Sequence, residues 1–145
     1  MTALASANDL RRKLASVEAE KMAAEAKARA QADAEKHAFL ERLTKPSGMS
    51  EEQAMERASH IVNRAVEAGM TSVQVLRFPN TLCTDDGRAI DQGEGNWPST
   101  LTGVPKELWE FYERRLKPLG YTMTYEVADR PNGFRGDIAV YLRWE

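Results

Sequence analysis

An uninterrupted run of helix-forming residues at the start of the chain most constrains its fold. From Ser6 to about Leu43 the sequence consists largely of Ala, Glu, Lys, Arg, Gln and Leu, with no Gly or Pro. This composition predicts one helix over residues 6–43. At 1.5 Å per residue that helix is roughly 55 Å long, which exceeds the width of a domain of about 100 residues. We therefore expect part of it to project or to lie against another chain.

The apolar residues of this helix begin as a heptad pattern. Leu10, Leu14 and Val17 are separated by four and three residues, the spacing that places side chains on one helix face. The same register continues through mostly small or polar residues, namely Lys21, Ala24, Ala28, Gln31 and Glu35. We favour a helix that pairs with itself or with a protein partner through its first three apolar residues. The alternative is a single solvated helix, supported by ion pairs such as Glu25 with Arg29.

A break at residues 45–48 divides the chain. Pro46 lacks the amide that a helix needs, and Gly48 loosens the backbone. The sequence therefore predicts a long, charged, alanine-rich helix in residues 1–45 and a small globular domain in residues 46–145.

Helix and strand patterns alternate in the first part of this domain. Ser50 and Gln53 have the spacing of a capping box, and an apolar stripe of helical period follows as far as Gly69. The stripe consists of Met55, Ala58, Ile61, Val62, Ala65 and Val66. Residues 71–78 are rich in β-branched and apolar side chains and predict a strand. A further helix is expected to begin at Pro105, since proline suits the first helical turn.

The clearest structural pattern is a C-terminal β-hairpin. Apolar and polar residues alternate over residues 121–127 and again over residues 138–144, and Pro131-Asn132-Gly133 favours a turn between them. The long helix is therefore followed by helix, strand, helix, strand and strand. This order predicts an α+β fold in which a mostly antiparallel three-stranded sheet carries two helices on one face. Residues 79–104 are predicted to be mainly loop.

Composition disfavours several functional classes. The 20 basic and 22 acidic residues nearly cancel, which disfavours nucleic-acid binding. The only cysteine, Cys83, precludes an intrachain disulfide and a cysteine-rich metal site. The apolar runs fall far short of the roughly 20 residues that span a bilayer, so we expect no membrane association and a cytoplasmic location. His37 and His60 are the only histidines and offer little for acid-base chemistry or metal binding, and no cofactor is predicted.

The segment of residues 79–104 is the best candidate for a ligand site. Trp97 stands there among glycines and polar residues, where an aromatic ring either plugs the core or meets a ligand. If the segment folds over the sheet, Trp97 can line a pocket together with Phe78, Tyr121 and Tyr125 from outside the segment, and the charged residues of the segment can supply polar contacts. The candidate ligand or interaction residues are Asp85, Asp86, Arg88, Trp97, Tyr121 and Tyr125. The carboxylates of this segment lack the spacing of an EF-hand, so a solvated acidic turn is expected rather than a metal site.

Two functional hypotheses follow. The leading one is a non-enzymatic interaction or scaffold protein that associates, with itself or with a protein partner, through the helix of residues 6–43. The second is a small-ligand-binding or enzymatic domain with its site in residues 79–104. Asp85 and Asp86 lie close to Cys83 in the sequence and disfavour a thiolate nucleophile there, so an enzyme is the less favoured reading.

Overall fold

The structure, a computed structural model, describes residues 4–145 and confirms the predicted α+β architecture. Its α-helices and β-strands are α1 (Ala7–Leu43), α2 (Glu51–Glu67), β1 (Ser72–Phe78), α3 (Arg88–Gln92), α4 (Gly103–Phe111), β2 (Thr122–Val127) and β3 (Ile138–Arg143). The residues group into two compact units, one ending at Phe39 and the other beginning at Leu40.

The long helix predicted from composition is α1. It begins after Ser6, whose hydroxyl oxygen accepts a hydrogen bond from the Asp9 amide at 3.1 Å and satisfies one donor of the first turn. Its last turn belongs to the second unit, where Leu43 is buried and Leu40 packs against the same core. The compact domain therefore starts earlier than the break at Pro46, because this apolar pair at i and i+3 is part of its core.

The start of α2 is held by the capping box that the sequence predicts. The Ser50 hydroxyl oxygen accepts from the Gln53 amide at 3.1 Å, and the Gln53 side-chain oxygen accepts from the Ser50 amide at 3.0 Å. Gly69 follows the helix with a φ of 78°, a left-handed conformation that suits glycine. On the predicted apolar stripe, Ala65 is buried but Val66 is 52% exposed. The buried face of α2 is therefore narrower than the apolar pattern indicates.

The strands form one antiparallel sheet in the order β1, β3, β2. The predicted hairpin of β2 and β3 is confirmed, with Thr122 opposite Arg143 and Val127 opposite Ile138. Because β3 lies between the other two strands, it is covered on both edges. The residues of β3 without exposed surface are Ile138, Ala139 and Val140. The domain core is built on this central strand.

Residues 79–104 contain more helix than the sequence predicts. Besides α3, the segment forms two 3-10 helices, Asn80–Leu82 and Trp97–Thr100. The Thr84 amide donates to the Thr100 carbonyl at 2.8 Å and closes the segment on itself. The helices have three to five residues each, too few to show a helical period in sequence. The segment is thus a folded part of the domain.

The start of α4 packs unusually closely on the end of α1. Gly103 begins α4 two residues before the predicted start at Pro105, with a left-handed φ of 60°. A Cβ atom at Gly103 would overlap the carbonyl oxygen of Leu43. Only glycine satisfies both the backbone conformation and this approach. After α4 the chain continues as a π-helical turn, Tyr112–Leu116.

Replacing Gly103 with alanine is expected to lower the free energy of unfolding by at least about 2 kcal/mol, because the Cβ atom strains the backbone and displaces Leu43. The measurement is urea-induced unfolding followed by circular dichroism. Gly95→Ala is the matched control, since a Cβ there has no heavy atom within 4 Å and the φ angle is not left-handed. Equal stability of the two variants would contradict the close packing of Leu43 on the start of α4.

Candidate functional site

The apolar side chains near the start of α1 lie in solvent. Every residue from 7 to 39 is exposed, including Leu10 at 50%, Leu14 at 59% and Val17 at 53%. At about 100° per residue these three side chains share one helix face, and we call them the apolar triplet. Soluble proteins tolerate single exposed apolar residues, but three on one face form a candidate contact surface.

Two of the aromatic residues predicted to form a ligand site do come together. The rings of Trp97 and Tyr125 have centroids 4.9 Å apart. Tyr125 is 7% exposed, and its hydroxyl donates to the Pro105 carbonyl at 2.8 Å. Burial raises the pKa of Tyr125, so its phenol stays neutral. These contacts make Tyr125 part of the domain core.

Trp109 completes this aromatic cluster and is absent from the sequence-based candidates. Its ring centroid lies 4.7 Å from that of Trp97 and 5.1 Å from that of Tyr112. The signal that identifies it is helical spacing, since Pro105, Trp109 and Tyr112 are separated by four and three residues. The indole N–H of Trp109 is buried and has no hydrogen-bond partner within residues 4–145.

Tyr121 belongs to a different ring pair. Its ring centroid lies 6.5 Å from that of Trp144, at an interplanar angle of 71°. Its carbonyl accepts a hydrogen bond from the Tyr112 hydroxyl at 3.0 Å, so its backbone supports the first residue of the π-helical turn. The structure places Tyr121 before β2 and gives it a ring partner other than Trp97.

Asp85 is engaged in holding the start of α3. Its carboxylate oxygens accept hydrogen bonds from the amides of Gly87 at 3.0 Å and Ala89 at 2.9 Å. Burial raises the pKa of Asp85, but these backbone hydrogen bonds outweigh that effect and leave the pKa below its usual value. The side chain therefore caps α3, which explains how so short a helix forms.

The other charged candidates also have partners within the domain. Arg88 forms an ion pair with Glu94 at 2.7 Å. Asp86 adopts a left-handed φ of 56°, and its carbonyl accepts a hydrogen bond from Arg135 at 3.3 Å. The prediction that Asp85, Asp86 and Arg88 contact a ligand stays a prediction, but the structure assigns stabilising contacts to all three.

A charge cluster that the sequence does not reveal joins α3 to the β2–β3 hairpin. Asp91 pairs with Arg130 and, at 3.6 Å, with Arg135. The Arg130 hydrogen bond is the main cause that holds the pKa of Asp91 below its usual value. The partners lie 39 residues and more along the chain from Asp91, a separation at which pairing depends on the fold. The cluster anchors the turn of the hairpin.

The Cys83 thiol is shielded and protonated. Cys83 is 2% exposed, and burial, together with the negative charge of Asp85, raises the pKa of its thiol to about 11. Asp86 adds to this effect, while a hydrogen bond with Thr100 opposes it. A nucleophilic cysteine needs the opposite environment, with a lowered pKa and access for the substrate.

Open depressions on the surface formed by residues 4–145 include two that are lined by residues other than the six candidates. One has a volume of about 300 Å³ and lies along α2 beside Arg57, His60 and Arg64. The other has a volume of about 510 Å³ and lies between Pro46 and the first turns of α4, beside Lys106. Both are shallow surface features rather than enclosed pockets.

The comparisons with known protein families, with curated proteins and with solved structures find no match to this chain. Within residues 4–145, no helix combines the length and the apolar character needed to cross a membrane. The same residues contain no group of three or more His, Cys, Asp or Glu side chains placed to hold a metal ion.

Asp85→Ala is expected to lower the free energy of unfolding by about 1 kcal/mol near neutral pH, because α3 loses its cap. A carboxylate with a lowered pKa contributes stability above its unfolded-state pKa and loses it as the pH falls through the folded-state pKa. The deficit of the variant should therefore shrink in acid, as measured by urea unfolding. Asp86→Asn is the control, since asparagine tolerates the left-handed backbone conformation of residue 86. An equal loss of unfolding free energy in both variants would contradict the assigned role of Asp85 as the cap of α3.

Cys83 is expected to react with Ellman's reagent at least about 100-fold more slowly in the native protein than in urea, because it is buried and the pKa of its thiol is raised to about 11. The absorbance of the released thiolate gives both rates. The urea-unfolded chain is the control for intrinsic reactivity. Rapid reaction of the native protein would show that the thiol is open to solvent.

Proposed function

We propose that this protein is a non-enzymatic interaction protein that associates with another protein chain through α1. The observation that carries the proposal is the exposure of α1 from residue 7 to residue 39, with the apolar triplet on one face. A helix of this composition persists in water without tertiary contacts, since it is rich in alanine and in i,i+4 ion pairs. It therefore offers a preformed surface to a partner.

The free energy gained by burying the apolar triplet is smaller than the free energy cost of association, so the partner must contact more of α1 than the triplet. Fully burying one Leu or Val side chain stabilises by roughly 1.5–3 kcal/mol, so three half-exposed side chains contribute on the order of 3 kcal/mol. Association costs at least about 4 kcal/mol in lost translational and rotational freedom. The alanine-rich remainder of α1 has to supply further contacts. Small side chains suit this role because they let helix axes approach closely.

The segment of residues 79–104 supports a ligand-binding function less well. Two of its three charged candidates already have side-chain partners, since Asp85 caps α3 and Arg88 pairs with Glu94. Its aromatic candidate Trp97 packs against Tyr125 of β2, which lies in the core. These contacts account for Asp85, Arg88, Trp97 and Tyr125 without a ligand.

Leu14→Glu is expected to weaken association through α1 at least about tenfold, because it places a charge in the middle of the contact face. The measurement is molar mass by light scattering over a range of concentrations, combined with quantitative affinity capture from a lysate of the source organism. Circular dichroism should show unchanged helix content, since both residues are good helix formers.

Met22→Glu is the matched control, because Met22 is 69% exposed and lies outside the register of the apolar triplet. It introduces the same charge on the same helix and should leave association unchanged. The proposal fails if the wild-type chain is monomeric and its captured proteins are the same with Leu14→Glu as with Met22→Glu.

A further inference from the structure

The connection between β2 and β3 presents an aromatic side chain to solvent. It spans residues 128–137, and we call it the hairpin tip. Phe134 of the tip is 75% exposed and is the most exposed large apolar side chain among residues 40–145. We infer that Phe134 inserts into an apolar pocket of a protein partner, a contact that is separate from the proposed association through α1.

The backbone on both sides of Phe134 is held by hydrogen bonds. The side-chain amide of Asn80 donates to the carbonyl oxygens of Arg135 at 2.6 Å and Gly136 at 3.0 Å. The carboxylate of Asp129 accepts a hydrogen bond from the Asp137 amide at 2.9 Å. A single exposed apolar residue is common on soluble proteins. Phe134 differs because the segment that carries it is fixed to the rest of the domain.

The turn before Phe134 is also fixed. Asn132 and Gly133 have left-handed φ angles of 54° and 82°, and asparagine and glycine adopt such angles most readily. The Phe134 amide then donates to the Pro131 carbonyl at 3.1 Å. Because this backbone is already ordered, a partner that binds the ring causes little further loss of conformational entropy. The hairpin tip is therefore a preorganised contact element.

The arginines of the tip indicate the chemistry of the pocket. The side chains of Arg130 and Arg135 are 52% and 32% exposed, whereas that of Asp91, which pairs with both, is 19% exposed. The guanidinium groups are thus the more accessible partners of this cluster. Each guanidinium has several N–H donors, and Arg130 uses only one nitrogen on Asp91. An apolar pocket bordered by carboxylate or carbonyl oxygens would complement both the ring and these free donors.

The charge balance of the tip favours a protein over a nucleic acid or an anionic membrane. Three arginines and three aspartates form ion pairs here, and they are Arg77, Arg130, Arg135, Asp91, Asp129 and Asp137. Their formal charges cancel, whereas binding to a phosphate backbone or an anionic lipid surface depends on excess positive charge. Burial of the ring is then the main favourable contribution. Aromatic residues and arginine are both enriched in the cores of protein–protein interfaces.

A different protein fits this contact better than a second copy of the chain. The two depressions described above are open and are lined mainly by polar side chains. A phenyl ring binds best in an enclosed, largely apolar pocket. Neither depression offers one, so the pocket is assigned to another protein.

The first test is photo-cross-linking with the full chain in cells of the source organism. Phe134 is replaced by the photoreactive amino acid p-benzoyl-L-phenylalanine, and mass spectrometry of the adduct identifies the protein that contacts it. The same replacement at Leu119 is the control, because Leu119 is 63% exposed and precedes β2, whereas the tip follows β2. An adduct with one protein at position 134, absent at position 119, is the expected result.

The second test measures affinity for the cross-linked protein after its purification. Phe134→Ala is expected to raise the Kd of the full chain at least about tenfold in calorimetric titrations, because it removes the ring that fills the pocket. Phe134→Leu should raise the Kd less, and Leu119→Ala should leave it unchanged. Urea unfolding should show equal stability of the wild type and Phe134→Ala, since the ring is exposed.

The inference is overturned if residue 134 gives no protein adduct, or an adduct only with a second copy of the chain, with nucleic acid or with lipid. It is also overturned if Phe134→Ala and Leu119→Ala bind the cross-linked protein equally well. Neither result bears on association through α1, which Leu14→Glu and Met22→Glu test separately.

Discussion

Tyr125 connects the parts of the compact domain that come from distant stretches of the chain. Its ring packs against Trp97 and Trp109, and its hydroxyl donates to the Pro105 carbonyl. The side chain thereby joins β2 to the start of α4 and to the 3-10 helix that begins at Trp97. Burying a hydroxyl without a partner costs roughly 1–3 kcal/mol, so this hydrogen bond also fixes how α4 lies on the sheet.

The segment before α4 owes its order to polar contacts rather than to apolar periodicity. Asp85 caps a helix of five residues, and Arg130 holds Asp91 against the hairpin. These carboxylates suggest a ligand site when only the sequence is known. In the structure they accept hydrogen bonds from backbone amides and form ion pairs with arginines. An acidic, glycine-rich segment can thus be a folded connection whose charges are used internally.

The elements with strong local signals could be predicted from the sequence. The uninterrupted composition predicts α1, the Ser50–Gln53 pair predicts the start of α2, and alternation predicts the hairpin of β2 and β3. Contacts between distant residues could not be predicted. The approach of Gly103 to Leu43 and the pairing of Asp91 with Arg130 depend on the tertiary fold.

The same distinction applies to the candidate site. The sequence suggested that Trp97 and Tyr125 could meet if residues 79–104 folded over the sheet, and their rings do pack together. Whether they meet at a surface or in the core depends on what covers them, and Tyr125 is covered by α4 and its flanking turns. The exposure of the apolar triplet, in contrast, follows from composition alone, because α1 is too long and too polar to be enclosed by a domain of this size.

The strand order gives the domain a particular dependence on synthesis. β3 comes last of the three strands along the chain but lies in the middle of the sheet, so β1 and β2 pair with it and not with each other. Until β3 has left the ribosome, β1 and β2 therefore have no neighbouring strand with which to form the hydrogen bonds of the sheet. Assembly of the sheet must wait for residues 138–143, and until then the nascent chain presents two strands with unfilled edges, the kind of surface that chaperones shield.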